Sequence, residues 1–532
     1  METNTPGVES YQDHVQVTDR HALHCAKKEA VATCESPFKL GPLDEMVFIS
    51  LPIECIFVYR KPKLSPQNKL IPIERLRQSL SHLLDYYPHL TGRLQTNLDT
   101  RAPEITCIGT GAELLEAQCG LRLDDFVSKD RASGRILITD LPGRGSGLTP
   151  SFDASIDGVC RDPIFAVQHT RFACGGVALG IWLRHVVCDA SGLFQLTRDF
   201  AELYRGLSSS SQPTLACPPV IHSYLRDVDV LTPKERQEAA EYQPAAYYYL
   251  DEGSTTTNQD VDEMKKPEPP KPDPPMKPPK IGRVLRFSGE DLLALKKQAI
   301  DPSGKGWVST FEALCAYLYQ RIYRARVQLF NSEDLWVPDA PGKISRGFLA
   351  SINMRSPNRL DLPPKYFPNA IYFPHTILSH ELLAYSPLWE VAKTLHAKIR
   401  EVDAYQMEQT TRWTAVHRDK SRIKVNYNFV GDGNFVVTQW SGFRMYVGVD
   451  FDVDGQGRPI PPVLVSPPLS PVDGSARILS TEEDFYCETK RSGQASSAGK
   501  QNAVAINLTL AEPLWSILGE DEQFRKYFAD VT

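Results

Sequence analysis

Apolar positions along this chain alternate between two periods, and each change of period marks a strand giving way to a helix. Residues 53–59, Ile-Glu-Cys-Ile-Phe-Val-Tyr, read as a strand. Residues 73–87 read as a helix with Leu76, Leu80, Leu83, Leu84 and Tyr87 on one face. Two apolar runs, 165–172 and 177–185, predict a strand pair joined through Cys174-Gly-Gly176, and residues 191–204 return to helical spacing with Leu193, Leu196, Phe200 and Leu203. In the second half, residues 283–287 predict a strand followed by a helix capped by Ser288. Ser309-Thr-Phe-Glu312 has the form of a capping box, introducing a longer amphipathic helix with Leu314, Leu318 and Ile322. Late strands are expected around 425–430, 435–440, 443–449 and 503–510, and a terminal helix after Pro513. Both halves are therefore predicted to be mixed α/β, without a short-period repeat.

One segment cannot join either pattern. From Asp251 onward the chain runs through Gly-Ser-Thr-Thr-Thr and then Lys265-Lys-Pro-Glu-Pro-Pro-Lys-Pro-Asp-Pro-Pro-Met-Lys-Pro-Pro-Lys280. Its prolines remove backbone donors and its charges resist burial, so it reads as a linker. The expected division is an N-terminal domain over 1–245, a Pro/Lys-rich connection over 246–281 and a C-terminal domain over 282–532. Shorter flexible pieces are expected at 206–213, 461–471 and 491–500.

Composition narrows the function classes. Of 532 residues 42% are hydrophobic and 23% charged, the make-up of an ordinary globular chain too long for one core. A net charge of -6 offers no basic field for a polyphosphate, so no nucleic-acid partner is expected. The first ten residues lack the basic and apolar regions of a secretory signal, and no window approaches a membrane span, so no membrane partner and a cytoplasmic location are expected. The 11 cysteines are scattered, with no Cys-x-x-Cys pair, and read as free thiols; no metal site is expected. Walker, Rossmann, Gly-x-Ser-x-Gly and His-Glu-x-x-His motifs are all missing.

What remains is His185 and Asp189, in Leu183-Arg-His185-Val-Val-Cys-Asp189-Ala-Ser-Gly192, directly after the apolar run. A neutral imidazole takes a proton from a hydroxyl or amine near pH 7, and a strand end holds it rigidly. With 12 histidines, about one such spacing arises by chance, so the surrounding chain decides its meaning.

Nine stretches follow in order: Leu43-Asp44; Phe57-Val-Tyr59; Tyr87-Pro-His-Leu-Thr-Gly-Arg-Leu94; Cys174-Gly-Gly176 with His185 and Asp189; Ser309-Thr-Phe-Glu-Ala-Leu-Cys-Ala316; Asn353-Met-Arg355; Tyr366-Phe-Pro-Asn369; Thr438-Gln-Trp440; and Asp450-Phe451. Together they resemble the BAHD acyltransferases over nearly the whole chain. The resemblance implies two chloramphenicol-acetyltransferase-like domains joined by a long crossover, with an active-site channel between them. It implies transfer of an acyl group from acyl-coenzyme A, a co-substrate and not a tightly bound cofactor, to a hydroxyl or amine of a small specialised metabolite, by a monomer.

The same resemblance implies the roles. His185 is the general base. Asp189 points away from the substrate and pairs with Arg355. Thr438 and Trp440 border the reacting carbonyl, where a hydroxyl and an indole N–H are both donors. Ser309 and Thr310 lie near the pantetheine or phosphate end of coenzyme A, although Ser309 also serves as a helix cap. Asp450 gives structural support.

The chain departs from the pattern in three places. The second signature, Asp-Phe-Gly-Trp-Gly, stands here as Asp450-Phe-Asp-Val-Asp454; Ala190 follows Asp189 in place of glycine; and Pro368 replaces the glycine of Tyr-Phe-Gly-Asn. These changes suggest a divergent, fungal-like member. Two other readings stand beside the transferase. One is a condensation-type enzyme using carrier-protein thioesters, opposed by Arg184, where such domains carry another histidine. The other is a non-catalytic binding protein of the same fold.

Overall fold

The computed structural model describes residues 14–63, 69–127, 134–207, 212–250, 278–332, 340–427, 433–486 and 502–530. Its two halves form two mixed α/β domains, each built on one large sheet. The first half supplies β1 (Val15–Leu23), β2 (Pro52–Tyr59), β3 (Ala112–Cys119), β4 (Phe165–Phe172) and β5 (Val177–Arg184). The second supplies β6 (Lys280–Phe287), β7 (Gly347–Ala350), β8 (His375–Ile377), β9 (Phe435–Gln439), β10 (Leu464–Ser466), β11 (Ser475–Ser480), β12 (Val504–Ala511) and β13 (Ala529–Asp530). The principal helices are α1 (Ile73–Tyr86), α2 (Ala190–Gly206), α3 (Gly289–Gln298), α4 (Thr310–Ser332), α5 (Leu388–Glu401) and α6 (Glu512–Glu520).

The seven-stranded sheet runs β8-β7-β9-β11-β12-β6-β13, entirely from the second half. The six-stranded sheet runs β1-β3-β4-β5-β2-β10, so its last strand comes from the other half. On β10, Leu464 pairs with Val58 and Ser466 with Ile56. The first half's core is likewise completed from outside, by Trp440, Met445, Tyr446, Val449, Phe451 and Leu479.

Every residue of β5 is buried, which explains why its sequence shows no alternation. Helix α1 buries Leu76, Leu80, Leu83 and Leu84, the face that periodicity selects. Three expectations fail or shift. Residues 443–449 form no strand: after the 3₁₀ turn Ser441–Phe443, Arg444 takes a left-handed φ of 52°, and the adjacent Met445 and Tyr446 are both buried. Two neighbours facing the same core break the period of two that a strand requires. Residues 461–471 are not a loose piece, because Val463-Leu-Val-Ser between the prolines pairs at the sheet edge, where missing proline donors do no harm. Tyr247–Tyr249, within the expected linker, pairs with Ile423–Val425.

Residues 251–277, 428–430, 208–211, 491–500 and Cys487 lie outside the described residues. The ten described cysteines are free. Among the described residues no helix is long and apolar enough to cross a membrane, and no cluster suits a metal ion.

Candidate active site

His185 leaves the end of β5 in a short 3₁₀ turn, His185–Val187, between the strand and α2. Its backbone is tied on both sides: its N–H donates to the Leu51 carbonyl at 2.8 Å, and its own carbonyl accepts from Asn369 Nδ2 at 3.0 Å. Asn369 is anchored in turn by Asp44, whose Oδ1 accepts from the Asn369 backbone N–H and from its Nδ2, both at 2.9 Å. The other oxygen of Asp44 accepts from Gly41 N at 3.0 Å and from the Ser223 hydroxyl. Burial pushes the Asp44 carboxyl up to about 6 despite these four donors.

Asp189 caps α2, its Oδ1 accepting from Gly192 N at 3.2 Å. Glycine is required there, since a Cβ would sit 2.3 Å from the Phe367 carbonyl oxygen. Arg355 meets the carboxylate with both arms, Nη1 to Oδ2 at 2.8 Å and Nη2 to Oδ1 at 3.0 Å, and the Ala370 N–H adds a bond at 2.9 Å. Arg355 also donates to the carbonyls of Tyr366 and Pro368. Asp189 is thus filled by four donors, none of them from His185. The bidentate pair is nearly buried and reaches across the two halves of the chain.

The His185 imidazole is held below its ordinary range. Burial is the main cause; its own carbonyl, Asp189 and Asn369 pull the other way, and the Arg477 guanidinium adds to the lowering. The ring is therefore neutral at pH 7, and its Nδ1 has no hydrogen-bond partner among the described residues.

Thr438 and Trp440 belong to β9 and its end, in the opposing sheet. Thr438 Oγ1 is buried without a hydrogen-bond partner among the described residues. Trp440 is packed into the first half's core, edge-on to Phe194 with centroids 5.7 Å apart. Ser309 spends its polar groups on a reciprocal cap, its N–H donating to Glu312 Oε2 at 2.6 Å and its hydroxyl accepting from Glu312 N at 3.2 Å. Thr310 begins α4, and neither residue makes a hydrogen bond to the His185 cluster. Asp450 lies 3.4 Å from Arg205, at the far end of α2. Phe451 packs among Tyr59, Phe200 and Tyr204, while Asp452 accepts from Ile71 N at 2.6 Å and Tyr204 Oη at 3.1 Å. The altered signature is thus a second tether between the halves.

Asn369 and Asp44 stand among the sequence landmarks, but nothing local in the chain marks them as the anchors of His185; that needs contacts between residues 184 and 325 positions apart.

The profile of a family described as the Transferase family matches residues 14–483. The chain belongs to that family, the BAHD acyltransferases. Hydroxycinnamoyltransferase 2 of Oryza sativa subsp. japonica is 27% identical to this acyltransferase over 392 residues, covering 73% of the chain and 76% of the relative. Shikimate O-hydroxycinnamoyltransferase of Nicotiana tabacum is 25% identical over 387 residues, covering 72% and 77%. Among solved structures, vinorine synthase superposes with a TM-score of 0.61 at 16% identity, covering 97% of this chain and 99% of that one. F. graminearum TRI101 complexed with coenzyme A and deoxynivalenol gives 0.61 at 17%, covering 93% and 99%. At such identities the structures show the fold alone, two chloramphenicol-acetyltransferase-like domains.

Proposed function

We propose that this acyltransferase moves an acyl group from acyl-coenzyme A to a hydroxyl or amine of a small specialised metabolite, with His185 as general base. The observation that carries the reading is the neutral imidazole at the end of β5, its backbone tied by Leu51 and Asn369 and its ring free of Asp189. His185 takes the proton of the acceptor as its oxygen or nitrogen attacks the thioester carbonyl. Negative charge then gathers on the carbonyl oxygen, where the Thr438 hydroxyl, unpartnered among the described residues, and the Trp440 indole N–H serve as donors. Collapse of the tetrahedral intermediate expels the thiolate, which recovers the proton from His185. Asp189 and Arg355 hold the turn in place and take no proton.

Ser309 and Thr310 are assigned to the coenzyme A side at the N-terminus of α4, where the helix end favours anions. The relative named for coenzyme A in its solved complex supports this donor. On this reading the enzyme works as a monomer in the cytoplasm. The test is incubation of the purified protein with acetyl-, malonyl- and hydroxycinnamoyl-coenzyme A and a panel of alcohols and amines, following thiol release and product mass. Wild type should release thiol about 10² to 10⁴-fold faster than His185→Ala. Equal rates would remove His185 from the chemistry.

A further inference from the structure

The seven-stranded sheet turns one face toward the first half, and a row of polar residues crosses it. Thr438 on β9 lies in register with Arg477 on β11, and Arg477 with Asn507 on β12. Their neighbours Val437, Ile478 and Ile506 point into the second half's core, so the row occupies the opposite face, which looks toward β2. On β2, Glu54 is held by the Thr149 hydroxyl and feels the charge of Arg477. An interface that otherwise buries apolar groups thus carries a line of polar ones, whose middle member, Arg477, acts on the charge of His185.

Asn507, at one end of this row, is satisfied internally: it donates to Ser466 Oγ at 3.0 Å and to the Pro467 carbonyl at 3.4 Å. The Thr438 hydroxyl, at the other end, has no partner among the described residues. Arg477, between them, carries the row's charge. It donates from Nη1 to the Pro468 carbonyl at 2.7 Å, and among the described residues no carboxylate comes within 4.0 Å of it. Glu54 is a weak counter-ion, because its own burial favours the protonated form more strongly than Arg477 opposes it. A guanidinium keeps its charge at any working pH and presents five donors in a fork that matches a carboxylate. This one is only partly buried, stands beside Thr438, and is near enough to His185 to oppose its protonation.

We propose that Arg477 binds the free carboxylate of a substrate and makes the enzyme selective for carboxylate-bearing molecules, a refinement that rests on the acyl transfer proposed above. The carboxylate belongs either to the donor, as the free end of a dicarboxylic thioester, or to the acceptor, as a hydroxy or amino acid. Both sources present the same planar anion, and two matched comparisons separate them.

The experiment measures kcat and KM for malonyl- against acetyl-coenzyme A, and for shikimate and 4-hydroxyphenylacetate each against its methyl ester. Wild type should favour the acid in one comparison by tenfold or more in kcat/KM, chiefly through KM, and the comparison that responds identifies the source. Arg477→Met should collapse that ratio toward one, and Arg477→Lys should keep part of it. A ratio unchanged in Arg477→Met, or no preference in wild type with either comparison, would overturn the site. A melting temperature for each variant separates lost recognition from lost folding. If wild type releases thiol yet shows no preference, acyl transfer stands and the carboxylate site falls. If no donor yields thiol, acyl transfer falls, and calorimetric binding of the same paired ligands to wild type and Arg477→Met decides the carboxylate site alone.

Discussion

At the scale of single residues, His185 is controlled through its backbone more than its ring. Leu51 and Asn369 hold its main chain, so the imidazole needs no carboxylate to fix it. Asn369→Ala would free the His185 carbonyl and take one donor from Asp44, at a cost of about 1–3 kcal/mol for the buried groups left unpaired. The expected result is a fall in kcat with KM nearly unchanged, read in steady-state kinetics beside a urea melt. Burial lowers the folded-state pKa of His185, so the base form is already complete at neutral pH. The kcat/KM profile should therefore rise with pH below the ordinary histidine range of about 6.5 and be flat above it. A profile still rising above pH 7 would assign proton transfer to another group.

Helix α2 is the element through which the second half holds the turn that carries His185. Arg355 meets the cap residue Asp189 at its start, Arg198 donates to the Val447 and Phe443 carbonyls along its length, and Arg205 meets Asp450 at its end. These contacts also explain why residues 443–449 do not extend into a strand: their carbonyls and apolar side chains are committed to α2 and the first half's core. Removing Arg355 would strand the Asp189 carboxylate in a buried site, and Arg355→Met should lose roughly 3–5 kcal/mol in urea unfolding, with activity lost in parallel. Phe451→Ala should cost about as much by opening a cavity among Tyr59, Phe200 and Tyr204, while the more exposed Arg205 contributes little.

For the whole molecule, the entry of β10 into the first sheet and of Trp440, Met445 and Phe451 into the first core means that the first half does not close alone, whereas the second half's sheet and core come from its own residues. A protease site inserted between residues 251 and 277 should, after cleavage, leave two fragments that elute together and unfold in one transition; separate elution would show independent domains. The molecule should also weaken in acid. Burial lowers His89 to about 3 and His169 to about 4, so the unfolded chain binds protons that the folded one refuses as pH falls below about 6.5. Asp44, raised to about 6, acts in the opposite sense, but the two imidazoles together are displaced further. Urea midpoints should therefore fall steadily from pH 6.5 to 4.

Local physics determined much of this protein. Periodicity placed β2, β4, β5, α1 and α2 close to their observed bounds, because burial on one face or both leaves a repeating mark in the chain. The cap at Ser288 and the capping box at Ser309 were equally legible, since cap and partner lie three residues apart. Tertiary structure decided what depends on distant partners. Asp44 and Asn369 became anchors of His185 only when segments hundreds of residues apart met. The 461–471 stretch became a strand because β2 offered it an edge. Arg477 is an ordinary arginine in the sequence until register sets it beside Thr438, at the interface between the halves, with no carboxylate among the described residues in contact.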